Sequence, residues 1–124
     1  MMTNLAFKEQ MNNRLKRFAL EIIKLYQSLP STGEATVIGK QVLRPGTSIA
    51  ANYRVACQSR SGKEFYSKLS IVVEEADETL FWLELLAEAG IVSMERLAMI
   101  MQESVEIVKI MATARKNFTR STGK

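Results

Sequence analysis

The chain has 124 residues and a mass of 14.0 kDa, with 47% apolar and 24% charged residues. That is one domain, large enough to bury a core without cross-links. A net charge of +4 comes with no histidine and one cysteine, Cys57, which excludes an intrachain disulfide, a His-containing zinc cluster and Ser-His or Cys-His dyads.

Residues 1–10 lack the basic start, apolar centre and cleavage site of an export signal and read as an N-terminal extension. The first helix is expected from Met11 to Leu29, with Leu15, Phe18, Ala19, Ile22, Tyr26 and Leu29 as its apolar stripe. Ser28-Leu29-Pro30-Ser31-Thr32-Gly33 stops it. The second helix spans about Glu34 to Gln58, with Val37, Ile38, Gln41 and Val42 on one side, then Ile49, Ala50, Tyr53 and Ala56. Pro45 removes an amide donor and Gly46 supports helix poorly, so a kink or interruption is expected near Pro45. Cys57 is expected to be a buried thiol in a reducing compartment.

Ser61 stands three residues before Glu64, the spacing of a capping box. It opens the third helix, Glu64 to Gly90, about 40 Å long at ~1.5 Å per residue. Phe65, Leu69, Val72, Ala76, Leu80, Leu83 and Ala87 lie three or four apart along it. Leu80-Phe81-Trp82-Leu83 points apolar groups in every direction around the axis. Either neighbours within the chain surround this helix, or Phe81 or Trp82 meets another subunit. Gly90 supplies a stop, and Ile91-Val92 a connector that should pack. The fourth helix begins at Ser93 or Met94 and runs to Asn117; Leu97, Met101, Ser104, Val105, Val108, Met111 and Ala112 face inward, and Ile100, Ile107 and Ile110 widen the stripe.

Four periodic segments with short breaks predict an all-α antiparallel up-down four-helix bundle over residues 11–117, followed by a flexible basic tail, 118–124. No apolar run approaches the ~20 residues that span a bilayer, and no GxGxxG or GxxxxGK[ST] loop is present. The expectation is a cytoplasmic protein that is not an enzyme, with no cofactor, no metal and no membrane partner.

Charge is segregated along the chain. Residues 1–68 hold eleven Lys or Arg against four acids, residues 69–108 one against nine, and residues 109–124 five against none. Such segregation steers an anionic partner or orients one subunit on another. The candidate nucleic-acid contacts are Arg14, Arg17 and Lys24 with Lys16 on the first helix, Arg54 and Arg60 on the second and its exit, and Arg115 and Lys116 near the end; all reach phosphate without reading bases. Tyr53 is a candidate to stack on an unpaired base. In Glu74-Glu75-Ala76-Asp77-Glu78, the carboxylates lack a histidine or a second acidic helix, which disfavours metal or acid–base chemistry. Glu75 and Glu78, with Phe81 and Trp82, are instead candidates for a subunit interface, paired with Arg44, Arg54 or Arg60.

The stretches TSIAANYRVACQSRSGKEF, residues 47–65, and KLSIVVEEADETLFWLELLAEAGI, residues 68–91, resemble the bacterial four-helix bundle family associated with intervening sequences of 23S ribosomal RNA genes. The resemblance covers nearly all of residues 11–117. It implies a four-helix subunit that assembles as a pentameric ring. A related group, the accessory variability proteins of diversity-generating retroelements, is similar in fold, and its basic assembly binds a reverse transcriptase and nucleic acid. The elements carried over are Asn52-Tyr53-Arg54 and the acid–aromatic set Glu75, Asp77, Glu78 and Trp82. The expected function is therefore a noncatalytic, self-associating scaffold for RNA or a ribonucleoprotein partner. The alternative is a homo-oligomeric protein–protein adaptor without direct nucleic-acid binding.

Overall fold

A computed structural model describes residues 4–121, with side chains for residues 5–118. It contains four helices, α1 (Asn4–Ser28), α2 (Gly33–Ala56), α3 (Gly62–Glu88) and α4 (Met94–Ser121), and no strand among the described residues. Each helix packs extensively on the next in sequence, whereas α1 and α4 meet sparingly. The result is the expected antiparallel up-down bundle, with its fourth seam, between α1 and α4, the loosest. The helix signal extends further than the periodic stripes: α1 starts at Asn4 instead of Met11, and α4 continues through residues 118–121 of the expected tail. Residues 122–124 lie outside the described residues.

The core follows the expected faces closely. Leu15, Phe18 and Ile22 of α1, Val42, Ile49 and Tyr53 of α2, Leu69, Val72 and Leu83 of α3, and Leu97 and Met111 of α4 are all buried. Burying a side chain of this kind contributes about 1.5–3 kcal/mol. Gln41, read on the apolar side of α2, is exposed, and three further placements differ from the stripes read in sequence. Val37 is exposed while Ala35 and Gly39 face inward; Ile107 is fully buried instead of widening the stripe; and Thr79 is buried, its hydroxyl donating to the Glu75 carbonyl at 2.8 Å.

Local chemistry sets the helix ends. Thr32 Oγ1 accepts from the Ala35 amide at 3.3 Å, Ser61 Oγ from the Glu64 amide at 3.1 Å, and Ser93 Oγ from the Arg96 amide at 3.3 Å, each satisfying a first-turn donor that the helix itself leaves free. Gly90 has φ of +70°, the left-handed conformation that glycine adopts without a Cβ penalty. The Ile91 amide donates to Leu86 O and the Gly90 amide to Ala87 O, both at 3.0 Å, which is the Schellman closure of α3. Val92 then packs into the core at 3% exposure, as its connector role requires.

Helix α2 does not break at Pro45; it is continuous from Gly33 to Ala56. Pro45 and Gly46 are both buried, Gly46 against Ile22 of α1. A Cβ on Gly46 would stand 2.8 Å from Ile22 Cγ2, and one on Gly39 2.7 Å from Leu29 Cδ1. The two glycines, seven residues apart, therefore let α1 lie close to α2. Tertiary packing on this face outweighs the loss of one helix hydrogen bond at the proline.

Candidate nucleic-acid interface

The antiparallel order gathers the start of α1, the end of α2, the start of α3 and the end of α4 at one end of the bundle. Lys8, Arg54, Arg60, Lys63, Lys68, Arg115 and Lys116 collect there against Glu9 and Glu64. Three basic blocks far apart in sequence thus become one basic end. Arg54, Arg60, Lys63 and Lys116 are exposed, and Arg115 is half-buried.

Near this end, a groove of about 540 Å³ runs between α1 and α2. Lys16 and Arg54 line it together with Asn12, Asn13, Thr47 and Gln58, and no Asp or Glu is among its lining residues. Two cations flanked by the side-chain amides of Asn12, Asn13 and Gln58 make a surface for phosphate oxygens: the cations supply charge, and the amides supply hydrogen bonds, whereas the Thr47 hydroxyl already donates to Leu43 O at 2.8 Å. The pairing of Lys16 with Arg54 depends on the α1–α2 register, which no spacing in the sequence reports.

The other basic candidates have different settings. Arg14 donates from Nε to Glu103 Oε2 at 2.7 Å and from Nη2 to Glu103 Oε1 at 2.6 Å, with Glu106 Oε1 at 3.1 Å. The Glu103 hydrogen bond is the main cause holding the guanidinium in its charged form even more firmly than usual. It ties α1 to α4, so the guanidinium offered in sequence as a phosphate contact is already engaged by two carboxylates. Arg17 is exposed, but it lines an α1–α4 groove together with Glu21, Glu103 and Glu106. Lys24 Nζ stands 3.5 Å from Glu21 Oε1. Both therefore sit in mixed fields that favour an anion less than the Lys16–Arg54 groove does.

Tyr53 is 1% exposed and belongs to the core, so its ring cannot receive a base. Burial first, and then Cys57, pushes its phenol above the ordinary range. Sequence spacing could not separate a core tyrosine from a stacking one, because both occupy the inner edge of an amphipathic helix. Cys57 is half-buried instead of fully buried, and Asn12 Nδ2 approaches its Sγ at 3.8 Å.

The acid–aromatic element forms a network inside the chain. Arg44 Nη2 donates to both Glu78 carboxylate oxygens at 2.9 Å, and Trp82 Nε1 donates to Glu78 Oε2 at 3.1 Å. Asn52 Nδ2 reaches Glu75 Oε1 at 2.5 Å, while Arg44 Nη1 lies 3.7 Å from Glu75 Oε2. The Trp82 N–H, and after it the Arg44 guanidinium, hold the Glu78 carboxyl below the usual carboxylate range. Glu75, Glu78 and Trp82 thus join α3 to α2, and the Arg44 ion pair expected across subunits lies within one chain. Phe81 is 53% exposed and packs on the edge of this network, its ring 4.9 Å from that of Trp82 in an edge-on arrangement. Val37, Val55 and Ile71 are also exposed, at helical spacing from Arg44 and Glu78. The outer α2–α3 face therefore carries apolar groups on both sides of a central ion pair.

Among the described residues, no three His, Cys, Asp or Glu side chains are grouped to hold a metal, and no helix is long and apolar enough to cross a membrane.

Residues 8–113 match the family model described as 23S rRNA-intervening sequence protein. Among solved structures, the chain is similar to a protein of unknown function from the S23 ribosomal protein family of Bacteroides thetaiotaomicron VPI-5482, with 38% identity and a TM-score of 0.81 over 88% of this chain and 97% of that one. No curated protein matches the chain. Neither description names a retroelement protein.

Proposed function

The chain belongs to the 23S rRNA-intervening sequence protein family, and from that premise we propose that it is a noncatalytic, self-associating scaffold that binds RNA, alone or within a ribonucleoprotein. The observation that carries this reading is the acid-free groove in which Lys16 and Arg54 face the same space, opening near the basic end of the bundle. Each phosphate contact is weak, and assembly repeats the groove once per subunit, so linked contacts add in avidity. A ring, pentameric by family resemblance, would present the grooves together.

The outer α2–α3 face supports self-association. Phe81, Val37, Val55 and Ile71 leave apolar area in water, and a desolvated aromatic is a common interface anchor. This same face favours the second reading, an oligomeric protein adaptor that does not touch RNA.

Binding of the purified protein to a mixed RNA pool across a salt series separates the two. The scaffold reading expects affinity that falls steeply with salt, and Lys16→Glu with Arg54→Glu should lower it at least tenfold while light scattering still finds the assembly. Phe81→Ser should reduce the assembled fraction, whereas Glu88→Ala should not. Salt-independent or absent RNA binding by an assembled protein overturns the scaffold reading and leaves the adaptor. A wild-type chain that stays monomeric at high micromolar concentration overturns self-association.

A further inference from the structure

At the basic end, a cleft of about 630 Å³ opens where the start of α1, the α2–α3 turn and the end of α4 meet. Its volume lies in the range of sites for small planar ligands. Three half-buried phenylalanines, Phe7, Phe65 and Phe118, line it, and no Asp or Glu does. The Phe65 and Phe118 rings stand edge-on at 5.2 Å, and Lys8 Nζ lies over the Phe65 ring, 5.2 Å from its centroid. An ammonium at that distance marks a ring face that attracts cations and can be covered from outside.

Two further features suit a ligand with both a ring and polar edges. Ser59 lines the cleft, and its buried Oγ has no hydrogen-bond partner among the described residues. A buried hydroxyl without a partner is an unfavourable arrangement that a donor or acceptor on a ligand relieves. Cys57 lines both this cleft and the Lys16–Arg54 groove, so the two concavities adjoin. A polyanion following the groove comes directly to the aromatic cleft.

We propose that this cleft receives one unpaired base of a single-stranded RNA whose phosphates lie along Lys16 and Arg54, a proposal that rests on the RNA-binding reading above. The base stacks on Phe65 with Phe7 beside it, Ser59 Oγ hydrogen-bonds its edge, and Lys8, displaced from the ring face, meets the adjoining phosphate. Paired bases are stacked inside a duplex and cannot enter, so the site distinguishes single strands from duplexes. Base–aromatic stacking tolerates any base, which makes the selection one of strandedness and not of sequence.

The test measures binding of the full chain to three probes at one salt concentration by fluorescence anisotropy. They are an unstructured twelve-nucleotide RNA, its blunt duplex, and the same ribose-phosphate strand with the bases removed. The wild type should prefer the intact strand about tenfold over the other two, in line with the worth of one stacked base. Phe7→Leu with Phe65→Leu should abolish that preference while leaving duplex binding unchanged, and Lys16→Glu with Arg54→Glu should weaken all three. Where the leucine variant fails to fold, the intact-versus-abasic comparison on the wild type decides. Equal affinity for intact and abasic strands overturns the base site and leaves the RNA-binding reading in place; no binding to any probe at low salt overturns both.

Discussion

The α2–α3 and α1–α4 seams are held by different means. Between α2 and α3 the helices lie in close register, and polar groups at the edge join into one network: Arg44 grips Glu78, Trp82 donates to the same carboxylate, and Asn52 holds Glu75. Between α1 and α4 the helices meet sparingly, and charged contacts bridge them: Arg14 to Glu103 and Glu106, and Arg96 Nη2 to Ser28 Oγ at 3.0 Å. The groove left on that side measures about 610 Å³ and includes Met99, 87% exposed. Close helix packing with a polar network at its edge thus closes the second seam, whereas side-chain charges span a fourth seam whose helices meet sparingly. The difference follows from topology, since a short loop forces α2 against α3, whereas α1 and α4 are joined only through the helices between them.

The largest effect that tests this contrast comes from truncating each seam's apolar groups. Leu83 is fully buried, and Leu83→Ala should cost roughly 2–5 kcal/mol by leaving a cavity among its neighbours. Met99→Ala on the open seam should stay within about 0.5 kcal/mol. Urea unfolding of both variants checks this, and equal losses would mean that the open seam is packed after all.

A smaller effect comes from the α1–α4 pair. The Arg14 and Glu103 side chains are 25% and 31% exposed, between the exposed pairs that contribute little and the buried ones whose loss is severe. Arg14→Ala should therefore destabilise by about 1–2 kcal/mol and raise amide exchange along α1 and α4 more than along α2 and α3. Arg17→Ala, one turn away and exposed, is the control and should leave both readouts near wild type. Uniform exchange throughout the bundle would show that the fourth seam has no separate identity.

How much of this was legible in the sequence depends on the range of the interaction. The apolar stripes, the Ser61 cap and the Gly90 stop are local, each written within a few residues, and the structure matches them. Gly46 read in sequence only as helix weakening beside Pro45, and Gly39, seven residues before it, was not singled out. Only the presence of Ile22 and Leu29 opposite explains both. The charged residues were least legible. Arg14 finds its acids 89 and 92 residues away, and spacing alone cannot tell a paired arginine from one that awaits phosphate. Arg44 had the acids of α3 as candidate partners in either case, and sequence could not decide whether they belonged to its own chain or to a neighbour. Lys16 and Arg54 became a pair only once α1 and α2 were set side by side.

The smallest effect concerns the ion pair on the closed seam. The Glu78 carboxyl is held below its ordinary range by Trp82 Nε1 and Arg44. Its charged form therefore adds stability above the unfolded-state value of roughly 4.3, and that contribution is lost as pH falls through the lower folded value. The Glu78 side chain is 36% exposed, so solvent and salt weaken the effect. Glu78→Gln keeps an acceptor for the Trp82 N–H but removes the charge facing Arg44. The gap between wild type and variant in urea midpoint should be widest near pH 7, narrow below about pH 4, and shrink in high salt. Trp82 is the only tryptophan in the chain, so its fluorescence reports the surroundings of this carboxylate directly. The absence of a gap at every pH would assign the role of Glu78 to its shape and its hydrogen bond with Trp82, and its charge would then add nothing to the α2–α3 seam.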